Sequence, residues 1–212
     1  MMSSHQVTAA APSAWDGGAS PYAANSKKFG MWLFIISDAL TFSALLFAYT
    51  YSRVSNPDWP KPFEFNPSII FSSVMTFCLL SSSLTMVMAV HAMNHGKRKA
   101  AGNWILATMA GGAAFVVLHA TEWMRLINTE HVTAASNPWS VPLFGGTFFA
   151  ITGLHMTHVI IGVIYLGIIG QGVFRGKFKA EDVEVSGLYW HFVDLVWMFV
   201  FPLVYLMSAH VS

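Results

Sequence analysis

A chain of 212 residues with 55% apolar and only 10% charged side chains carries too little charge for a water-soluble domain, which usually holds about 25%. A formal net charge of +1 offers no basic field for nucleic acid, and the single cysteine, Cys78, excludes an intrachain disulfide, a CxxC redox pair and an attached haem. A mean hydropathy of +0.54 points instead to an integral membrane protein built as one domain.

Residues 1–29 are polar and rich in Ala, Ser and Gly. They lack the apolar core of about 7–15 residues that a signal peptide needs, so they read as a mobile tail. Five apolar stretches follow, at 30–52, 68–93, 102–126, 142–171 and 188–209. Each approaches or exceeds the roughly 20 residues that cross a bilayer as a helix. Backbone polar groups must be paired internally in hydrocarbon, so the fold class is all-α, a bundle of five transmembrane helices over residues 30–212.

The links between them are rich in helix breakers. Asn56 to Pro62 holds three prolines, Asn66-Pro67-Ser68 opens the second helix, and Asn137-Pro138 with Pro142 precedes the fourth. Asn94 to Lys99 and Arg175 to Lys179 are short basic turns. One side of the membrane thus receives eight basic residues, among them Lys97, Arg98 and Lys99, and the other receives Arg53, Lys61 and Arg125. The positive-inside rule then puts the N-terminus inside and the C-terminus outside. Trp32, Trp59, Trp104, Trp123, Trp139 and Trp190 fall near expected helix ends, where interfacial anchors sit.

Ionisable groups inside the helices are the candidates for function, because a charge at a helix centre costs roughly 2.5 to 3.5 kcal/mol on insertion scales. Asp38 lies in helix 1, His91 near the inner end of helix 2, and His119 and Glu122 towards the outer end of helix 3. His155 and His158 sit near the middle of helix 4, and His191 and Asp194 in the inner part of helix 5. The pairs His119/Glu122, His155/His158 and His191/Asp194 are each three apart and share a helix face. A carboxylate beside an imidazole can hold it charged or fix its tautomer, as in a proton relay or an anionic-headgroup site. The same spacing equally describes an interhelical polar cluster that fixes packing. HxxH could ligate a metal, but zinc or iron would want further ligands from other helices. Haem between two histidines needs matched depth on facing helices, which His119, His91 and His191 do not offer. Glycines such as Gly111, Gly112, Gly153 and Gly162 read as helix-contact positions.

Five segments, one per helix and in order, carry a family likeness: Gly30 to Asp38 (GMWLFIISD), Ser82 to Lys99, Leu118 to Trp123 (LHATEW), Gly145 to Gly162 (GGTFFAITGLHMTHVIIG) and Tyr189 to Leu206 (YWHFVDLVWMFVFPLVYL). Over roughly residues 28–209 the chain resembles subunit III of the haem–copper terminal oxidases, in the five-helix form of bacterial oxidases. Asp38 stands where many members carry Glu, and Met156 replaces the inner glycine of the pattern GxHGxHV.

The resemblance implies an accessory subunit in a bacterial inner membrane. The complex would reduce dioxygen to water and translocate protons, with electrons from cytochrome c or a quinol. YWHFVD looks like the cytochrome c branch, which is the preferred reading; Ser37-Asp38 and the VYLM ending resemble quinol oxidases. By the resemblance this chain holds no metal and no catalytic residue. Haem and copper belong to partner subunits I and II, phospholipid is bound, and a respiratory supercomplex is a further partner. Asp38 is then a candidate for proton uptake or subunit I contact. His91, His119, Glu122, His155, His158, His191 and Asp194 form the lipid-binding or interhelical polar set.

Overall fold

The computed structural model describes residues 26–64 and 68–210. Most of the expected N-terminal tail and the Asn66-Pro67 helix start lie outside the described residues. The order is α1 (Ser26–Val54), β1 (Phe63–Glu64), α2 (Ile70–Asn94), α3 (Arg98–Asn128), α4 (Pro142–Phe174) and α5 (Ala180–Val200). A π-helical turn (Phe201–Tyr205), a 3-10 turn (Leu206–Ser208) and β2 (Ala209–His210) close the chain. Five helices are long and apolar enough to cross a membrane. The two strands are two residues each and pair in parallel, Phe63 with Ala209 and Glu64 with His210, tying the α1–α2 link to the end of the bundle.

Helix α5 is the centre. Most of its circumference is buried, including Val183, Trp190, Trp197 and Val200 at 0% exposure, and one strip with Leu195, Met198 and Phe199 is exposed. Trp190 and Trp197 are seven apart and each donates its indole N–H to a hydroxyl on α2: Trp190 to Ser82 at 3.0 Å, Trp197 to Thr76 at 2.9 Å. The interfacial role expected of Trp190 is therefore corrected. Its ring fills the space left by Gly112 on α3 and Gly162 on α4, where a methyl on Gly162 would come within 2.9 Å of it. Trp59 is also buried rather than interfacial, edge-on to Tyr49 at 5.5 Å.

The start of α5 lies eight residues before the apolar run begins. Glu181, Asp182 and Glu184 lower the hydropathy there, yet each of the last two is engaged. Asp182 accepts the Lys179 amide at 2.9 Å and the Lys27 ammonium at 2.6 Å, and Glu184 pairs with Lys28 at 2.8 Å. The Asp182–Lys179 bond satisfies an amide that helix geometry leaves without a partner. At the other end, Pro202 has no N–H to continue the ladder, and the chain widens into the π-helical turn.

Both basic turns close by the same device. Gly96 (φ 71°) and Gly176 (φ 72°) adopt the left-handed conformation that glycine takes without a Cβ clash. Lys97 N–H then reaches Ala92 O at 2.9 Å and Lys177 N–H reaches Gly172 O at 2.8 Å, the six-to-one bond of a Schellman ending.

Helix α1 packs differently. Its buried residues are Ile35, Phe42 and Tyr49, one every seven, so a single narrow seam faces the bundle. Trp32, Leu33, Ile36, Leu40 and Phe47 are exposed, an apolar surface suited to lipid or to other transmembrane helices.

Candidate functional site

Asp38 and His158 meet between α1 and α4, with Asp38 Oδ2 2.7 Å from His158 Nε2. The approach is off the ideal N–H···O axis, so the contact is a close pairing of carboxyl and imidazole rather than an aligned hydrogen bond. The other ring nitrogen settles the protonation. His158 Nδ1 lies 2.8 Å from the Leu154 carbonyl oxygen, which can only accept, so Nδ1 carries a hydrogen. A neutral imidazole would then aim the Nε2 lone pair at a carboxylate, two acceptors in repulsion. One proton must reside on Nε2 or on the carboxyl. In either placement the pair is electrically neutral as a whole, and the isolated acid of helix 1 is accounted for.

The surroundings hold this arrangement. Phe42, one turn beyond Asp38, sets its ring edge-on to His158 at 5.4 Å. Tyr189 on α5 donates its hydroxyl to the His158 carbonyl at 2.9 Å. The pair is mostly enclosed, with 13% of the His158 and 18% of the Asp38 side chain exposed. Beside it, an apolar groove of about 320 Å³ runs between α1 and α5, lined by Phe42, Leu46, Phe192, Val196 and Phe199.

The remaining polar residues do not join this pair. His191 and Asp194 converge instead on Ser83 of α2, whose hydroxyl lies 2.6 Å from His191 Nδ1 and also interacts with Asp194. His191 opens onto a groove of about 280 Å³ between α2 and α5, shared with His91, Asn94 and Glu184. His91 itself is exposed and its ring packs on His95 at 4.2 Å. Among the described residues no hydrogen bond or ion pair links Asp38 to His91, His191 or Asp194.

A third group is deeply buried. His119, Glu122 and His155 are 0%, 2% and 0% exposed. His155 Nε2–H donates to the Val193 carbonyl at 3.1 Å, and the rings of His119 and His155 flank Trp197 at 5.4 and 4.9 Å. The neighbours His155 and His158 on one face of α4 thus serve different partners, α5 backbone and α1 carboxylate. Among the described residues no group of three or more His, Cys, Asp or Glu gathers in a way that could hold a metal ion.

Sequence reasoning missed Tyr189 and Phe42, which position the pair, because neither type in an apolar helix stands out. Ser83, one of three consecutive serines at 81–83, was missed as well.

Similar proteins place this architecture. The family model described as cytochrome c oxidase subunit III matches residues 7–209. A quinol oxidase subunit 3 from Bacillus subtilis (strain 168) is 34% identical, the match covering 84% of this chain and 86% of that one. A cytochrome c oxidase subunit 3 from the same organism is 32% identical, covering 86% and 87%. The cytochrome c oxidase subunit 3 of Hippopotamus amphibius is 32% identical, covering 91% of this chain and 74% of that one. With five membrane-crossing helices and a match over nearly its whole length, the chain belongs to the cytochrome c oxidase subunit III family of the haem–copper terminal oxidases.

Proposed function

We propose that this chain is the accessory third subunit of a bacterial inner-membrane oxidase that reduces dioxygen to water and moves protons outward. It transfers no electrons itself. The haems and copper reside in partner subunits I and II, and this bundle packs beside subunit I with its N-terminus inside. Phospholipid acyl chains occupy the apolar groove between α1 and α5, next to Asp38.

The observation that carries the reading is the Asp38–His158 contact at 2.7 Å, where the most peripheral helix meets α4, partly open at the bundle surface. From there it can tune local proton supply to subunit I, or hold the lipid that protects subunit I from inactivating during turnover. The test is the complete oxidase carrying Asp38→Asn or Asp38→Ala. The expected result is a near-normal initial rate, faster inactivation with successive turnovers and less bound phospholipid. If all three match the unaltered complex, the role assigned to Asp38 falls.

For the electron donor we take cytochrome c, on the YWHFVD segment at Tyr189 to Asp194. A quinol is the second reading, favoured by the Bacillus relatives named quinol oxidase subunit 3 at 34% and 36% identity. A dinuclear copper signal from subunit II of the purified complex supports cytochrome c; its absence supports quinol.

A further inference from the structure

The outer half of the bundle gathers buried polar atoms that no protein group satisfies. Both ring nitrogens of His119, Nδ1 of His155, Oε1 of Glu122, Nε1 of Trp123 and the Tyr205 hydroxyl have no hydrogen-bond partner among the described residues. They are not scattered. The Trp197 ring neighbours His119, His155 and Tyr205 at centroid distances of 5.4, 4.9 and 5.7 Å, and His119 is tilted against Trp123 at 5.6 Å. Glu122 is three residues from His119 on the same buried face of α3. Three elements contribute these atoms, α3, α4 and the π-helical turn that delivers Tyr205, with the Trp197 ring of α5 between them.

Buried donors and acceptors are almost always paired, with ordered water where protein groups do not suffice. The donor and acceptor types suit water well: a carboxyl group, imidazoles, an indole N–H and a phenol together offer both signs of hydrogen-bonding capacity. There is also a way in. A crevice of about 200 Å³ near the start of α2 and the end of α3 is lined by Phe71, Thr121, Glu122 and Arg125, so Glu122 borders both the crevice and the buried group.

We infer that the junction of α3, α4, α5 and the π-helical turn is a binding site for ordered water, held by His119, Glu122, His155 and Tyr205 and entered past Glu122 and Arg125. At about three hydrogen bonds per buried water, the six atoms require about two waters. This site exchanges protons with the outer aqueous phase and is separate from the Asp38–His158 pair. It holds whichever donor feeds the oxidase.

Hydroxyl-radical labelling of the purified oxidase tests it, because radicals formed from internal water oxidise buried side chains beside that water. Tyr49 and Tyr205 are 1% and 0% exposed and lie at the same end of the bundle, but the Tyr49 hydroxyl is bonded to Ser208 at 2.7 Å. Trp190 is 0% exposed with its indole bonded to Ser82. Tyr205 and His119 should be oxidised at least about fivefold faster than Tyr49 and Trp190. The Glu122 carboxyl infrared band, identified by its loss in Glu122→Gln, should shift within minutes in D2O. Equal labelling of Tyr205 and Tyr49, which would signal fraying of that end, overturns the site. So does a Glu122 band unmoved after hours in D2O.

Discussion

Helices α1 and α5 are both apolar spans, yet they are held in opposite ways. Of the most apolar stretch of each, 11% is buried in α1 and 50% in the final span. Helix α5 is fixed by shape: Trp190 fills glycine-lined space and Trp197 packs among Phe115, His119 and His155, each with a single hydrogen bond to α2. Helix α1 is fixed by polar clamps at three levels. Lys27 and Lys28 grip Asp182 and Glu184, Asp38 meets His158, and Tyr49 bonds Ser208 at 2.7 Å while Arg53 reaches the Met207 carbonyl at 2.5 Å. Apolar surface gains little by leaving lipid for a helix interface, so close packing and specific polar contacts must do the holding. A helix with a wide packed face needs few such contacts; one with a narrow seam needs several.

That contrast can be broken by substitution, beginning where the effect is largest. Trp190→Ala should destabilise the bundle by about 3 to 5 kcal/mol, since it removes a large buried ring and leaves its cavity. The check is the thermal midpoint of the purified complex and the amount of this subunit that co-purifies; a loss below about 1 kcal/mol would deny α5 its central place. Next, Asp38→Leu or His158→Leu alone leaves one polar partner stranded and should cost about 2 kcal/mol. The double substitution should cost less than the two added together, by about 1 kcal/mol or more. Strict additivity in a double-mutant cycle would mean the pair is not a unit. Tyr49→Phe removes one hydroxyl and should cost about 1 kcal/mol, seen as earlier detachment of α1 in limited proteolysis. Smallest of all, Glu184→Gln acts on a pair that is over a third exposed on both sides and should change stability by no more than about 0.5 kcal/mol.

The five spans were legible because length and apolarity alone decide them. The beginning of α5 was not, because hydropathy counts Asp182 and Glu184 as liabilities while the folded chain matches them with Lys27, Lys28 and a helix-end amide. Trp190 was misjudged for a related reason: tryptophan near an apparent helix end suggests an interface, and only the true helix start puts it well inside. The candidate residues were visible one by one, since ionisable groups in apolar runs are rare. Their partnerships were not. Spacing along one helix shows that His155 and His158 share a face. It says nothing of the rotation and depth that send one to the Val193 carbonyl and the other to Asp38.

The two glycine turns bear on how the chain is made. Three residues separate α2 from α3, and a five-residue turn separates α4 from α5. Neither leaves slack for one helix to settle while its neighbour waits in water. Such short links suit entry of each pair into the bilayer as a helical hairpin. Alanine at Gly96 or Gly176 would strain a left-handed residue by roughly 1 to 2 kcal/mol, and its first symptom would be slower membrane integration of that hairpin rather than a weaker finished bundle.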